Sequence, residues 1–311
     1  MKRSSIDIGS NSVLLLIAEL DSNKLIEIED HSSVTALGKN LDQENKFIQE
    51  SMDDTFQALV NYKKIIESHG LSSEDTIVTA TEASRVAKNS KEFFRKIKME
   101  LGFNIQTISS DGEAYYTGLG ISLGVIQSST DENIKDKMII IDLGGASTEV
   151  IEISLNPFSI IDSISMPMGS VRGQDWLIED KIENQVSAVL KNNNLKKFHT
   201  KKGIFVAGTA TTLACMIKNL KAFDAAKINC QVLKRDEFKI FVSSILEKTS
   251  DELLHSFPYI GTRAKTVGAG GMILSRLIDE LEMTEVQIST MGLRHGTLFE
   301  GVINERFNIT K

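Results

Sequence analysis

The sequence lacks the signals of several large classes of protein. It has two cysteines in 311 residues, Cys215 and Cys230, at no spacing that a metal site or a disulfide framework would use. Such scarcity fits a reducing compartment. A basic excess is also missing, because 35 Lys and Arg stand against 42 Asp and Glu and give a net charge of -7. A general nucleic-acid-binding protein would show the opposite balance, so we expect no nucleic-acid partner.

Long apolar runs are missing as well. The apolar segment Val13–Leu20 is too short to span a bilayer, and Asp7 interrupts the residues before it. We therefore expect a cytoplasmic protein with no membrane partner. Apolar residues make up 41% of the chain and charged residues 25%, which is typical of globular proteins, and 311 residues suffice for two domains.

The common phosphate-binding signatures are absent too. The sequence has no Walker A motif and no GxGxxG dinucleotide motif, and its five histidines show no HExxH or triad spacing. A phosphate site in this chain would have to use other turns.

What the sequence does contain is a weak internal repeat. Ile6–Ser12 (IDIGSNS) and Ile141–Ser147 (IDLGGAS) each read as the end of a buried strand that carries an aspartate, followed by a tight turn with glycine and a second strand. Alternating strand and helix patterns follow each copy. The repeat therefore predicts an α/β protein of two similar domains with mixed sheets, separated by the polar run Ser128–Lys137.

The two turns are candidate phosphate sites. Glycine lets successive backbone N–H groups approach an anion, and Ser and Thr hydroxyls add donors. An aspartate at the strand end, Asp7 or Asp142, can hold a hydrated Mg²⁺. Gly208 and Thr209 form a third candidate, between a strand and a helix N-terminus. The alternatives are an ordinary hairpin for a single copy of the turn and an ordinary helix cap for the third segment.

Three charged side chains are candidates for the chemistry. Hydrolysis of a phosphoanhydride needs a positioned water, a base and cations. Glu113, at a predicted helix start, and Glu149, on the second hairpin, supply carboxylates, and Arg85 supplies positive charge. For Glu113 alone, stabilisation of the helix dipole is the competing explanation, and Arg85 could equally be a surface residue.

Taken together, the motifs resemble those of the exopolyphosphatase / guanosine pentaphosphate phosphatase (Ppx/GppA) family, in its short two-domain form, within the actin, Hsp70 and sugar-kinase superfamily. The resemblance runs along nearly the whole chain. Its segments are Asp7–Ser12 (DIGSNS), Ala80–Arg85 (ATEASR), Ile108–Ala114, Asp142–Glu149 (DLGGASTE), Met168–Arg172 (MGSVR), Val206–Leu213 (VAGTATTL) and Gly292–Gly296 (GLRHG).

The resemblance implies a fold. It implies two actin-like (ribonuclease H-like) domains, each a mixed five-stranded sheet flanked by helices, with a cleft between them. Residues 1–126 would form domain I and residues 134–295 domain II, and a C-terminal helix over 296–311 would pack back on domain I.

The resemblance also implies roles. Glu113 would activate the attacking water, and Glu149 would share that catalytic role. Asp7, Asp142 and Glu149 would bind Mg²⁺, with Mn²⁺ as an alternative. The expected phosphate-binding residues are Gly9, Ser10, Asn11, Ser12, Arg85, Gly144, Gly145, Ser147, Thr148, Gly208 and Thr209.

Four positions depart from the family pattern. Gly112 stands where a second acidic residue is usual, Ser110 stands where glycine is usual, Ala146 replaces a glycine, and His295 replaces the glutamate of GLREG. The expected activity is release of terminal phosphate from inorganic polyphosphate or guanosine pentaphosphate. Two alternatives stay open: an ATP-dependent small-molecule kinase of the same superfold, and a non-catalytic regulator that binds such ligands. Homodimer formation is also left open.

Overall fold

The computed structural model describes residues 1–21, 24–128 and 137–310. The chain divides into two compact units, Met1–Glu132 with Met291–Lys311, and Asn133–Thr290. Most of the predicted polar boundary lies outside the described residues, and the predicted domain limits of 126, 134 and 295 stay predictions.

Strands and helices alternate along both units. The strands are β1 (Lys2–Ile8), β2 (Ser12–Asp21), β3 (Lys24–Val34), β4 (Ile77–Ala80), β5 (Ile105–Thr107), β6 (Lys137–Leu143), β7 (Thr148–Leu155), β8 (Phe158–Met166), β9 (Lys202–Val206), β10 (Val232–Lys234) and β11 (Glu285–Ile288). The helices are α1 (Leu41–Glu44), α2 (Gln49–Ser68), α3 (Glu82–Val86), α4 (Ser90–Leu101), α5 (Ser110–Ser128), α6 (Ser170–Ile178), α7 (Ile182–Lys191), α8 (Ala207–Ile217), α9 (Ala225–Ile228), α10 (Arg235–Leu246), α11 (Ser250–Ser256), α12 (Val267–Glu280) and α13 (Leu293–Glu300).

The two sheets share one topology. The first unit has strand order β3-β2-β1-β4-β5, and the second has β8-β7-β6-β9-β11 with β10 added beyond β11. In each, the first three strands are antiparallel and the next two run parallel to the first. The actin-like α/β fold is confirmed. The second sheet carries one strand more than the five expected, because the short β10 pairs antiparallel with the edge strand β11.

Burial on both faces explains the apolar run on β2. Leu15 and Ile17 pack in the core formed with α2 and α4, whereas Leu16 and Ala18 pack with Leu298 of α13. A strand covered on both faces has no solvent side and loses its polar alternation. The α13 helix therefore belongs to the first unit.

Two helices differ from the sequence-based expectation. The pattern over Asp175–Leu190 predicts one helix, but Asp180 adopts a left-handed conformation at φ 55° and separates α6 from α7. The predicted helix over 296–311 is α13, which begins at Leu293 and ends where Gly301 turns left-handed at φ 82°. A short 3₁₀ helix, Glu305–Phe307, follows. Among the described residues, no helix combines the length and hydrophobicity needed to cross a membrane.

Candidate functional site

The first hairpin places Asp7 one residue before the end of β1. Asp7 lies opposite Leu14, and Ile8 lies opposite Val13. Gly9 N–H donates to the Ser12 carbonyl at 3.0 Å and closes the turn. A Cβ at Gly9 would lie 3.3 Å from that carbonyl oxygen, which is tighter than an ordinary contact. The turn therefore favours glycine for steric reasons.

The second hairpin repeats this geometry. Asp142 lies one residue before the end of β6, and Gly144 N–H donates to the Ser147 carbonyl at 3.0 Å. A Cβ at Gly144 would again lie 3.3 Å from the carbonyl oxygen of residue 147. The residue opposite Asp142 is Glu149, however, and not an apolar residue. Residues directly opposite in a sheet share a face, with Cβ atoms about 4.5–5.5 Å apart.

Different segments hold the two turns. In the first hairpin, the Ser10 and Asn11 carbonyls accept N–H bonds from residues 35, 36 and 38, at 2.7–3.1 Å. In the second, the Gly144 and Gly145 carbonyls accept from Ser170 and Val171 of α6, at 2.9 and 2.8 Å. The MGSVR segment named in the sequence analysis thus stabilises the second turn through backbone hydrogen bonds.

The predicted hydroxyl donors are largely buried. Ser10, Ser12, Ser147 and Thr148 are all less than a tenth exposed. The Thr148 hydroxyl donates to the Met168 carbonyl, so its side chain holds the hairpin to the segment before α6. Whether these residues bind phosphate stays a prediction.

Arg85 and Glu113 meet at the sheet edge where the parallel strands of the first unit end. Arg85 lies on α3, which follows β4, and Glu113 lies in the first turn of α5, which follows β5. Asp7 pairs with Thr79 of β4 and so lies toward the same edge. The topology brings these three predicted residues to one edge of one sheet.

Arg85 is held by carboxylates. Its Nη1 donates to Glu113 Oε2 at 2.9 Å and to the Ile108 carbonyl at 2.9 Å, and its Nη2 and Nε donate to Glu82 at 2.8 and 3.1 Å. Its predicted phosphate contact stays a prediction, whereas its contact with Glu113 is a feature that the sequence did not reveal.

Burial governs the charge of Glu113. Its side chain is 12% exposed. Desolvation raises the pKa of Glu113, and the Arg85 ion pair only partly offsets that rise. A carboxylate with a raised pKa is a better proton acceptor than an ordinary glutamate.

Asp7 has a positive neighbour that the sequence analysis missed. Arg294 of α13 donates to the Leu15 carbonyl at 2.8 Å and pairs with Asp30. Burial lowers the pKa of Arg294, but the charges of Asp30, Asp7 and Glu27 outweigh that effect and raise it. Asp7 and Arg294 therefore interact electrostatically, which favours the charged form of both.

The third predicted segment starts α8. Gly208 and Thr209 lie in the first turn of this helix, which begins at Ala207 directly after β9, and the last residue of β9, Val206, pairs with Asp142. This helix N-terminus and the second hairpin therefore lie at one edge of the second sheet. The guanidinium of Arg263 packs on Gly208, where a Cβ would lie 2.7 Å from Cζ, and burial lowers the pKa of Arg263. No motif signalled Arg263, which stands far along the chain on a 3₁₀ segment.

The second hairpin fits a hydrated magnesium ion better than the first. Within the described ranges, no group of three or more His, Cys, Asp or Glu side chains forms a metal cage. Mg²⁺ needs no such cage, since it keeps several waters and uses one or two carboxylates together with substrate phosphates. Asp142 and Glu149 supply two carboxylates on one sheet face, and Ser165 orients Glu149 by donating to it at 2.6 Å.

Comparison with known proteins agrees with these features. Residues 16–305 match the profile of the Ppx/GppA phosphatase family. The chain belongs to the Ppx/GppA phosphatase family. Exopolyphosphatase 2 of Mycobacterium tuberculosis is 24% identical over 302 residues, which cover 89% of this chain and 90% of that protein.

A second relative in this family is longer. A bifunctional 3-dehydroquinate synthase/phosphatase of Fusobacterium nucleatum is 30% identical over 322 residues, which cover 97% of this chain but 47% of that protein. This chain therefore spans about half the length of that relative. The crystal structure of the Ppx/GppA family member from Aquifex aeolicus is similar at a TM-score of 0.76 and 28% identity, over 96% of this chain and 97% of that chain.

One departure from the Ppx/GppA pattern has a structural explanation. His295 replaces the glutamate of GLREG and is 1% exposed. Its Nδ1 accepts from Gly292 N–H at 3.1 Å and caps α13, so its Nε2 carries the proton and donates to Glu27 at 2.9 Å. The histidine caps the helix, and Glu27 of β3 supplies the carboxylate.

Proposed function

We propose that this chain hydrolyses the terminal phosphoanhydride bond of inorganic polyphosphate, with guanosine pentaphosphate as a second substrate. The observation that carries the proposal is the buried Glu113, held by Arg85 at the sheet edge toward which Asp7 also lies. Family membership and the exopolyphosphatase relative support the same chemistry.

Glu113 would act as the base. It orients a water oxygen toward the terminal phosphorus and accepts a proton as the new P–O bond forms and the bridging P–O bond breaks. Arg85 holds the carboxylate in place through the 2.9 Å bond. Because desolvation disfavours the charged form of Glu113, proton uptake is favoured at the moment of attack.

The second unit would bind the metal ion and phosphate oxygens of the substrate. Asp142 and Glu149 would hold Mg²⁺, or Mn²⁺ in its place, and the bound ion would neutralise phosphoryl oxygens. The amides of the Gly144–Ser147 turn and the N-terminus of α8 at Thr209 would bind phosphate oxygens, and Arg263 adds a cation beside that helix start. That both hairpins act on one substrate stays a prediction.

The test is a substrate comparison. Purified chain is assayed for phosphate release from long-chain polyphosphate and from guanosine pentaphosphate, each with Mg²⁺, with Mn²⁺ and with EDTA. We expect metal-dependent release from polyphosphate. Tight binding of either compound without release would instead support the regulator alternative, and transfer of phosphate from ATP to a small acceptor would support the kinase alternative.

A further inference from the structure

The segment Asn304–Thr310, called here the C-terminal segment, lies along the edge of the first sheet. Ile309 N–H donates to the Thr107 carbonyl at 2.8 Å, and Thr107 N–H donates to Thr310 Oγ1 at 2.7 Å. Ser109 N–H donates to the Phe307 carbonyl at 2.9 Å. These bonds fix the end of β5 and the loop that leads into α5.

Phe307 anchors this segment on α5. Its ring is 7% exposed and lies 5.0 Å from the Tyr115 ring and 5.8 Å from the Tyr116 ring. Arg306 stacks over Phe307 at 4.3 Å from the ring centroid, and the Tyr116 hydroxyl accepts the Asn304 N–H at 2.8 Å. Aromatic contacts of this kind each contribute about 0.5–1.5 kcal/mol beyond their burial.

Gly112 permits an unusually close approach. A Cβ at Gly112 would lie 2.7 Å from Phe307 Cβ and 3.1 Å from Phe307 Cγ. Any other residue would therefore push the first turn of α5 away from the C-terminal segment. A glycine within a helix costs about 1 kcal/mol relative to alanine, so the position carries a cost that the packing must offset. The packing of Phe307 thus leaves no room at position 112 for the acidic side chain of the family pattern.

The same backbone carries Glu113. Glu113 N–H donates to the carbonyl of Ser109 at 2.9 Å, and the N–H of Ser109 donates to the Phe307 carbonyl. Arg85 contacts the same loop, because it donates to the Ile108 carbonyl at 2.9 Å while it pairs with Glu113. The position of the carboxylate depends on both supports.

We propose that Phe307, packed against Gly112, is a positioning residue that holds Glu113 in its buried, Arg85-paired place. The proposal rests on the proposed function for its effect on catalysis. The C-terminal segment thereby acts on a carboxylate that it does not touch, through the first turn of α5.

The kinetic test uses Phe307→Ala and Gly112→Ala, which loosen and displace the same contact. We expect kcat on polyphosphate to fall by about tenfold or more, since a misplacement of about 1 Å can cost up to a hundredfold. KM should stay within about twofold, because substrate contacts are unchanged. The acidic limb of the pH–rate profile should move to lower pH, since a better hydrated Glu113 loses the desolvation that raises its pKa.

The matched control is Leu101→Ala. Leu101 is 7% exposed in the core of the first unit on α4, so its truncation lowers stability without touching α5. At temperatures where the control stays folded, it should keep its kcat and its acidic limb. The proposal would be overturned if kcat fell equally in the control and in Phe307→Ala. It would also be overturned if the acidic limb of the pH–rate profile did not move in Phe307→Ala and Gly112→Ala. If Phe307→Ala does not fold, Phe307→Leu takes its place.

A second readout needs no activity. With ¹³C-labelled glutamate carboxyls, the Glu113 signal is assigned by its loss in Glu113→Gln, and its titration is followed by NMR. Phe307→Ala should lower the Glu113 pKa relative to the unmutated chain, and an unchanged titration would overturn the inference. If the unmutated chain releases no phosphate at all, the proposed function fails, whereas the titration still decides the positioning role.

Discussion

The two hairpins are built alike and charged differently. β1 and β6 each have seven residues with the same order of buried and exposed positions, and both turns close with a 3.0 Å bond from the glycine N–H. Opposite the aspartate, however, the first hairpin has Leu14 and the second has Glu149. The two hairpins thus share their backbone geometry but differ in the side chain that lies opposite the aspartate.

The charges around each aspartate follow the same division. Asp7 lies opposite the apolar Leu14 and interacts electrostatically with Arg294, whose hydrogen bonds go to Asp30 and to the Leu15 carbonyl. Asp142 has a second carboxylate beside it, and two neighbouring carboxylates attract a divalent ion. The pair of carboxylates that suits a divalent ion therefore lies on the second hairpin, whereas the first hairpin has a single one.

Replacing Glu149 by the residue of the first hairpin should have the largest effect. Glu149→Leu removes one of two proposed ligands, and we expect Mg²⁺-dependent phosphate release to fall by about a hundredfold or more. Thermal stability should change little, because losing the hydrogen bond from Ser165 opposes the gain from replacing a carboxyl group that is 2% exposed by an apolar side chain. The control is Leu14→Met, which should leave release unchanged. Full activity in Glu149→Leu would contradict the proposal that Glu149 is a metal ligand.

The two aspartates should differ in their effect on the metal. Asp142→Asn should raise the Mg²⁺ concentration for half-maximal activity by about tenfold or more, a typical loss when a metal site is disturbed. Asp7→Asn should raise it less, because Leu14 and not a second carboxylate lies opposite Asp7, which also interacts electrostatically with Arg294. Titrations of both variants with Mg²⁺ check this, and equal shifts would contradict the expected difference between the two aspartates.

The pH dependence of stability should reveal the raised pKa of Glu113 in the first unit. Burial raises the folded-state pKa of Glu113, so its stabilising contribution is full below the unfolded-state pKa and is lost as pH rises through the folded-state value. Glu113→Gln carries no such charge. The melting temperature of the unmutated chain should therefore fall relative to that of the variant between acidic and neutral pH. A constant difference across this range would contradict the raised pKa.

The smallest effect tests the shared geometry itself. Gly9→Ala and Gly144→Ala each add a Cβ at 3.3 Å from a carbonyl oxygen. Each should cost about 1 kcal/mol of unfolding free energy, a modest overpacking penalty. Denaturant unfolding of both variants, followed for the unit that carries each substitution, shows whether the two losses of unfolding free energy are equal. A large difference would show that one turn is more strained than the other.

Sequence patterns predicted the features that depend on neighbours along the chain. The repeated hairpins, the strand–helix alternation and the glycine turns follow from local spacing, and the structure has all three. The split between α6 and α7 was missed because Asp180 adopts the left-handed conformation, which aspartate does only occasionally and for which glycine is the usual signal. The edge strand β10 is three residues long and too short for a periodic signal.

The candidate site was predicted less completely, since its supports are distant in the chain. The Arg85–Glu113 pair joins residues 28 positions apart, and Arg294 meets Asp30 across 264 positions. The contact of Phe307 with Gly112 depends on how a segment after the last helix packs back. Only tertiary packing brings such residues together, so the motifs named Glu113 and Arg85 but not the contact between them.

The most direct measurement is the rate of phosphate release from long-chain polyphosphate by Glu113→Gln, with Mg²⁺ present and folding verified by circular dichroism. Glu82→Gln is the matched variant, because it removes the other carboxylate that Arg85 binds. If Glu113 is the base, Glu113→Gln should lose at least about a hundredfold in rate, while Glu82→Gln should lose much less. Release by Glu113→Gln at the rate of the unmutated chain would contradict it.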